Sequence, residues 1–85
     1  MTDFLASRIG RSWSEERLTP RERALIAMTS DVVLQTLGAT FRRHVEIARE
    51  AGAKDDDIRD AVRFTAELGV SNTVNALAAL DEILG

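Results

Sequence analysis

The chain has 85 residues, 45% of them apolar, with 11 Lys and Arg against 14 Asp and Glu and a formal net charge of -3. That length holds one domain and one core, and the charge gives no net attraction to nucleic acid or anionic lipid. With no cysteine and a single histidine, neither a disulfide staple nor a cysteine–histidine zinc site is open to it, so a homo-oligomer is the expected extra source of stability for so small a core.

The first residues, Met1-Thr-Asp-Phe-Leu-Ala-Ser-Arg, lack a basic start followed by a long apolar run. No segment reaches the roughly 18 apolar residues of a membrane span. The expectation is a cytoplasmic protein with no membrane partner. Phe4, Leu5, Ile9 and Trp13 recur at helical spacing in an otherwise polar stretch, which predicts a short amphipathic helix in residues 1–17, laid on the body or on a neighbouring subunit. The helical domain proper is then residues 18–85.

Leu18-Thr-Pro-Arg-Glu opens the next helix: Thr19 is the N-cap, Pro20 stands at the first helical position, and Glu22 is placed to reach back as in a capping box. Ala24, Leu25, Ala27, Met28, Val32 and Val33 cover more than one stripe, so this helix is expected to be buried on two sides. Gly38 marks a break. From Ala39 to Ala51, Phe41, His44, Val45 and Ala48 fall at i, i+3, i+4 and i+7, the stripe of a helix lying on a core. Gly52 follows, where a left-handed position costs glycine least. Asp55, Asp56 and Asp57 then favour the positive end of a further helix, with Ile58, Ala61, Val62, Thr65 and Leu68 as its apolar face. After a turn at Gly69-Val-Ser-Asn, Val74, Leu77, Ala78, Leu80 and Leu84 form the inner face of the last helix, and its alanines permit close approach of a neighbour. No strand pattern competes. The fold class is all-α, with about five antiparallel helices.

Leu18-Thr-Pro-Arg-Glu-Arg, then Phe41-Arg-Arg-His-Val-Glu-Ile-Ala-Arg-Glu-Ala-Gly, an acidic helix start, and Gly69 with Asn75-Ala76 together resemble the carboxymuconolactone decarboxylase family, which also includes the AhpD-like alkylhydroperoxidases. The resemblance covers roughly residues 18 to 80. His44, Ala48, Ala51, Gly52 and Ile58 match the family's pattern of a histidine-bearing helix ending in alanine-x-x-alanine-glycine. It implies an AhpD-like helical domain, assembled as a trimer or hexamer, acting without cofactor or metal on a small-molecule carboxylate or lactone.

Departures from the family are informative. The hydroperoxidase branch places cysteines seven and four residues before the histidine, since a thiolate must attack peroxide and a second thiol must close the disulfide. Here those positions hold Leu37 and Thr40, so peroxidase activity by that route is excluded.

His44 is the one imidazole available as a general acid or base near neutral pH. A histidine on an apolar stripe is either such a group or a core residue whose nitrogens are satisfied locally, and both readings stand at this point. The resemblance implies decarboxylation or isomerisation of a small unsaturated lactone or keto acid, the substrate's own conjugated carbonyl holding the charge as an enolate. In that scheme the catalytic residues are His44 and Glu67, the latter from the family's C-terminal signature and expected to fix the imidazole tautomer. Arg42 and Arg43 are the candidates for gripping a carboxylate, and Thr40 and Asn75 for lining the pocket. Asn72 and Asn75 also have structural readings, respectively as the cap of the last helix and as a bond across a helix interface. The alternative function is a non-catalytic oligomeric or ligand-binding module on the same scaffold.

Overall fold

A computed structural model describes residues 17–85. Among these the chain forms four α-helices, α1 (Pro20–Leu34), α2 (Ala39–Glu50), α3 (Asp55–Phe64) and α4 (Val70–Leu84), with a 3-10 turn, Thr65–Glu67, between the last two. No strand is present among the described residues. The amphipathic helix expected in residues 1–17 lies outside them. No described helix is long and apolar enough to cross a membrane.

The start of α1 follows the sequence reading closely. Thr19 Oγ1 accepts from the Glu22 N–H at 3.1 Å, the Glu22 carboxylate accepts from the Thr19 N–H at 2.8 Å, and Pro20 occupies the first turn. Two of the N–H groups that a helix start leaves unpaired are thereby satisfied reciprocally. Half of that arrangement recurs at the start of α3, where the Asp57 carboxylate accepts from the Lys54 N–H at 3.0 Å and the lysine side chain has no acceptor to return the bond.

Both helix ends that flank α2 turn through a left-handed residue. After α2, Gly52 has φ 101°. Its N–H reaches Arg49 O while the Ala53 N–H reaches Ala48 O, the paired bonds of a Schellman ending. The same pattern ends α1, where the Gln35 N–H donates to Val32 O at 3.2 Å and the Thr36 N–H to Asp31 O at 2.9 Å. There the left-handed residue is Gln35, with φ 58° and ψ 33°, a place glycine would fill without steric cost.

The core is built around α1, which packs against every other helix and most extensively against α2. Ala24, Met28 and Val32 of α1, Phe41, Val45 and Ala48 of α2, Ile58 and Val62 of α3, and Ala76 and Leu80 of α4 are fully buried. Burying a side chain the size of Phe41 or Ile58 contributes about 1.5–3 kcal/mol each. The pair α1–α2 runs antiparallel: Asp31 near the end of α1 meets His44 in the first half of α2, while Thr19, Arg21 and Glu22 share a groove with Ala51 at the other end.

Three expectations about helix faces are corrected. In α1, Val33 is exposed and the buried stripe is Ala24, Met28, Asp31 and Val32, so the helix is covered on one side within the subunit. Leu68 is exposed rather than buried with Ile58 and Val62, because the α-helical register ends at Phe64 and the chain tightens into the 3-10 turn. In α4 the buried residues are Thr73, Ala76 and Leu80, and Val74 points to solvent. Thr73 takes the core position because its hydroxyl is satisfied there, by Gly69 O at 3.1 Å and by Thr65 Oγ1 at 2.5 Å.

Candidate active site

The α1 stripe that buries Ala24, Met28 and Val32 also carries Asp31, which is 5% exposed. A carboxylate removed from water is costly unless its oxygens find donors. Asp31 has a donor on each side. Thr36 Oγ1 donates to Oδ1 at 2.8 Å, and His44 Nδ1 lies 2.5 Å from Oδ2. An ionised carboxylate only accepts, so with Asp31 in that form Nδ1 is the donor of this contact. His44 is partly buried, its side chain 22% exposed, between Phe41 and Val45 on one helix and Asp31 on the other. It is thus a histidine that borders the core and still meets solvent.

Position on the helices explains the encounter. His44 stands on the inner stripe of α2 at i+3 from Phe41 and i-4 from Ala48, and these two are fully buried. Asp31 stands at i+3 from Met28 on the facing stripe of α1. The antiparallel α1–α2 hairpin makes the two meet.

The remaining sequence candidates are placed as follows. Glu67 is exposed in the 3-10 turn, and among the described residues no hydrogen bond or ion pair joins it to His44; the carboxylate on the imidazole is Asp31. Arg43 is exposed and lies 3.6 Å from Glu46 and 3.5 Å from Glu50 on its own helix. Arg42 is exposed as well, as is Thr40 in the first turn of α2. Asn75 Nδ2 donates to Gln35 Oε1 at 3.0 Å, a bond across the α1–α4 interface, the structural reading given for it above. Asn72 does not cap α4, whose N-cap is Gly69; its carbonyl accepts from Gln35 Nε2 at 3.1 Å.

Asp31 and Thr36, which meet at this candidate site, were not among the residues singled out from the sequence. The signal for Asp31 was an acid at i+7 from Ala24 and i+3 from Met28, on a face otherwise apolar. Nothing in the sequence marked Thr36, which depends on the left-handed turn at Gln35.

An imidazole held by a buried carboxylate on one nitrogen can take up and release a proton at the other, the arrangement of a general acid–base pair. The chain holds no thiol to work beside it. Neither a curated protein nor a solved structure matches the chain significantly. The model of the carboxymuconolactone decarboxylase family matches residues 2–82, extending beyond the 18–80 in which the resemblance was legible and taking in most of the segment set apart as 1–17. With nearly the whole chain matched, and a histidine on the second helix at the place the resemblance assigned, the protein belongs to the carboxymuconolactone decarboxylase family.

Proposed function

We propose that the protein is a cofactor-free decarboxylase or isomerase of a small carboxylated lactone or keto acid, with His44 as the general acid–base group and Asp31 as its partner. The observation that carries this reading is the Asp31–His44 contact. In a decarboxylation, the bond from the carboxylate carbon breaks and its electron pair passes into the conjugated carbonyl as an enolate. The imidazolium of His44 then gives its Nε2 proton to carbon, and carbon dioxide leaves. Isomerisation uses the same group twice, as base at one carbon and acid at another. In both, Asp31 holds the ring in one tautomer and balances the positive charge that the imidazole carries in part of the cycle.

The assembly proposed is a homo-oligomer of this chain. Ile26, Val33 and Leu34 of α1 and Phe64, Leu68, Val70 and Val74 around the α3–α4 junction are exposed. An open groove of about 370 Å³ is lined by Thr29, Ser30, Val33, Leu34 and Leu68, with no charged side chain. A second copy suits such a neutral, apolar face better than a charged partner, and a core this small gains most from one.

The test uses the fact that His44 is the only histidine, so one set of imidazole NMR signals reports on it. A panel of small carboxylated lactones and keto acids is added to the protein, with evolved carbon dioxide and isomer composition measured alongside. The expected result is that one compound moves the His44 signals and is turned over, and that His44→Gln abolishes the turnover. If no compound does either, the enzyme reading falls and the scaffold is a binding or assembly module.

A further inference from the structure

We infer that Thr36 is the positioning residue of the site: its hydroxyl locks the Asp31 carboxylate in the rotation that aims Oδ2 at His44. The inference rests on the reading of Asp31 and His44 as a working pair.

A carboxylate turns easily about its last bond, because the terminal torsion of Asp has a broad, roughly two-fold profile. One hydrogen bond to His44 therefore leaves the group free to swing. The second bond, Thr36 Oγ1 to Oδ1 at 2.8 Å, removes that freedom. Thr36 is itself held twice to the same residue, since its N–H donates to the Asp31 carbonyl at 2.9 Å. Main chain and side chain of Thr36 thus grip main chain and side chain of Asp31 five residues earlier.

The grip exists only because the chain turns back at once after α1. Gln35 takes the left-handed conformation, and this brings the next residue over the last turn of the helix. A non-glycine residue in that region costs on the order of 1 kcal/mol, and it is kept there by bonds from its amide: Nε2 to Val32 O at 2.6 Å and to Asn72 O at 3.1 Å, with Oε1 accepting from Asn75. The left-handed turn, the hydroxyl and the carboxylate form one chain of support that ends on the His44 ring. Threonine fits this duty better than serine, because its branched Cβ narrows the choice of χ1.

A purely structural role for Thr36 would change stability and leave the ring alone, so the readout is the ring. In the 15N-labelled full chain, long-range 1H–15N correlation of the single histidine distinguishes the Nδ1–H from the Nε2–H tautomer at a pH where the ring is neutral. The wild type is expected to show the Nδ1–H form. Thr36→Val and Thr36→Ala, which keep or remove the methyl bulk and lose the donor in either case, are expected to give a mixture of tautomers, while Thr36→Ser restores the wild-type pattern. A wild-type tautomer in either folded donor-less variant overturns the proposal. Asp31→Ala separates it from the reading beneath it: a ring that stays Nδ1–H without Asp31 sinks the pair itself, whereas a ring that responds to Asp31→Ala and ignores Thr36→Val sinks only the role of Thr36.

Discussion

Asp31 Oδ2 and His44 Nδ1 lie 2.5 Å apart although 13 residues separate them in the chain. Asp31 is buried on the α1 stripe and His44 partly buried on the α2 stripe, so the contact joins the two helices that, among the described elements, pack most extensively on each other. A polar pair at that place has energetic consequences that packing alone would not produce.

The first concerns coupling. Removing either partner leaves the other's polar atom in a site built for a bond, at a cost of about 1–3 kcal/mol for a group that water cannot fully reach. Asp31→Ala and His44→Gln should each destabilise the protein in urea, and the double variant should be less unstable than the sum. A double-mutant cycle is expected to give a coupling of at least about 1 kcal/mol. Strict additivity would mean that the contact contributes nothing to the fold.

The second concerns the left-handed turn. Gln35→Ala keeps the strained backbone and loses the three amide bonds, while Gln35→Gly loses the same bonds and relieves the strain. The glycine variant should therefore be the more stable of the two by about 1 kcal/mol, with the wild type at or above the glycine variant because each lost bond costs about 0.5–1.5 kcal/mol. Thermal melts of the three proteins check the order. An alanine variant as stable as the glycine variant would show that Gln35 stores no strain.

How far the sequence foretells all this depends on whether a feature is local. The α1 start was legible to the residue, since Thr19, Pro20 and Glu22 interact within one turn. The Gly52 turn was legible for the same reason. The α2 stripe was legible because Phe41, Val45 and Ala48 are all apolar and regularly spaced. The α4 face was right at Leu77, Leu80 and Leu84, which lie in or against the core, and wrong at its first turn, where the buried position 73 is a threonine, acceptable only with Thr65 and Gly69 O beside it, and those partners come from outside the helix. Similarly, type and position single out the histidine of the candidate site, whereas they point to Glu67 and not to Asp31 as its carboxylate. Which acid meets His44 is decided by the α1–α2 hairpin, and helical periodicity carries no information on the pairing of two helices.

The exposed apolar face bears on assembly. Leu34 and Leu68 are 70% and 74% exposed in the single chain, so a charge at position 34 should cost the isolated fold no more than about 0.5 kcal/mol. At a subunit interface the same charge would be buried without a partner and would oppose association. Leu34→Glu is expected to shift the protein to smaller species in light scattering while its helical circular dichroism persists. A wild type that is monomeric at all concentrations would remove the basis for this prediction and for the proposed homo-oligomer together.

The α1 cap should be sensitive to acid. The Glu22 carboxyl is held below its ordinary value of 4.5 chiefly by the bond it accepts from the Thr19 backbone, then by the Thr19 hydroxyl, against an opposing effect of desolvation, with Arg21 and Arg23 adding less than any of these. Because the folded chain holds this proton less tightly than the unfolded chain, the group contributes stability that is fully present above 4.5 and is lost as pH falls through the lower folded value. Glu22→Gln keeps a capping-box acceptor and removes the titration. The stability of the wild type should therefore fall more steeply than that of the variant as pH drops below about 4.5, and the two curves should run parallel from pH 6 to 8. Melting temperatures measured from neutral pH down to about pH 3 would decide it: parallel curves down to the lowest pH would mean that the carboxylate is not engaged with the helix start in solution.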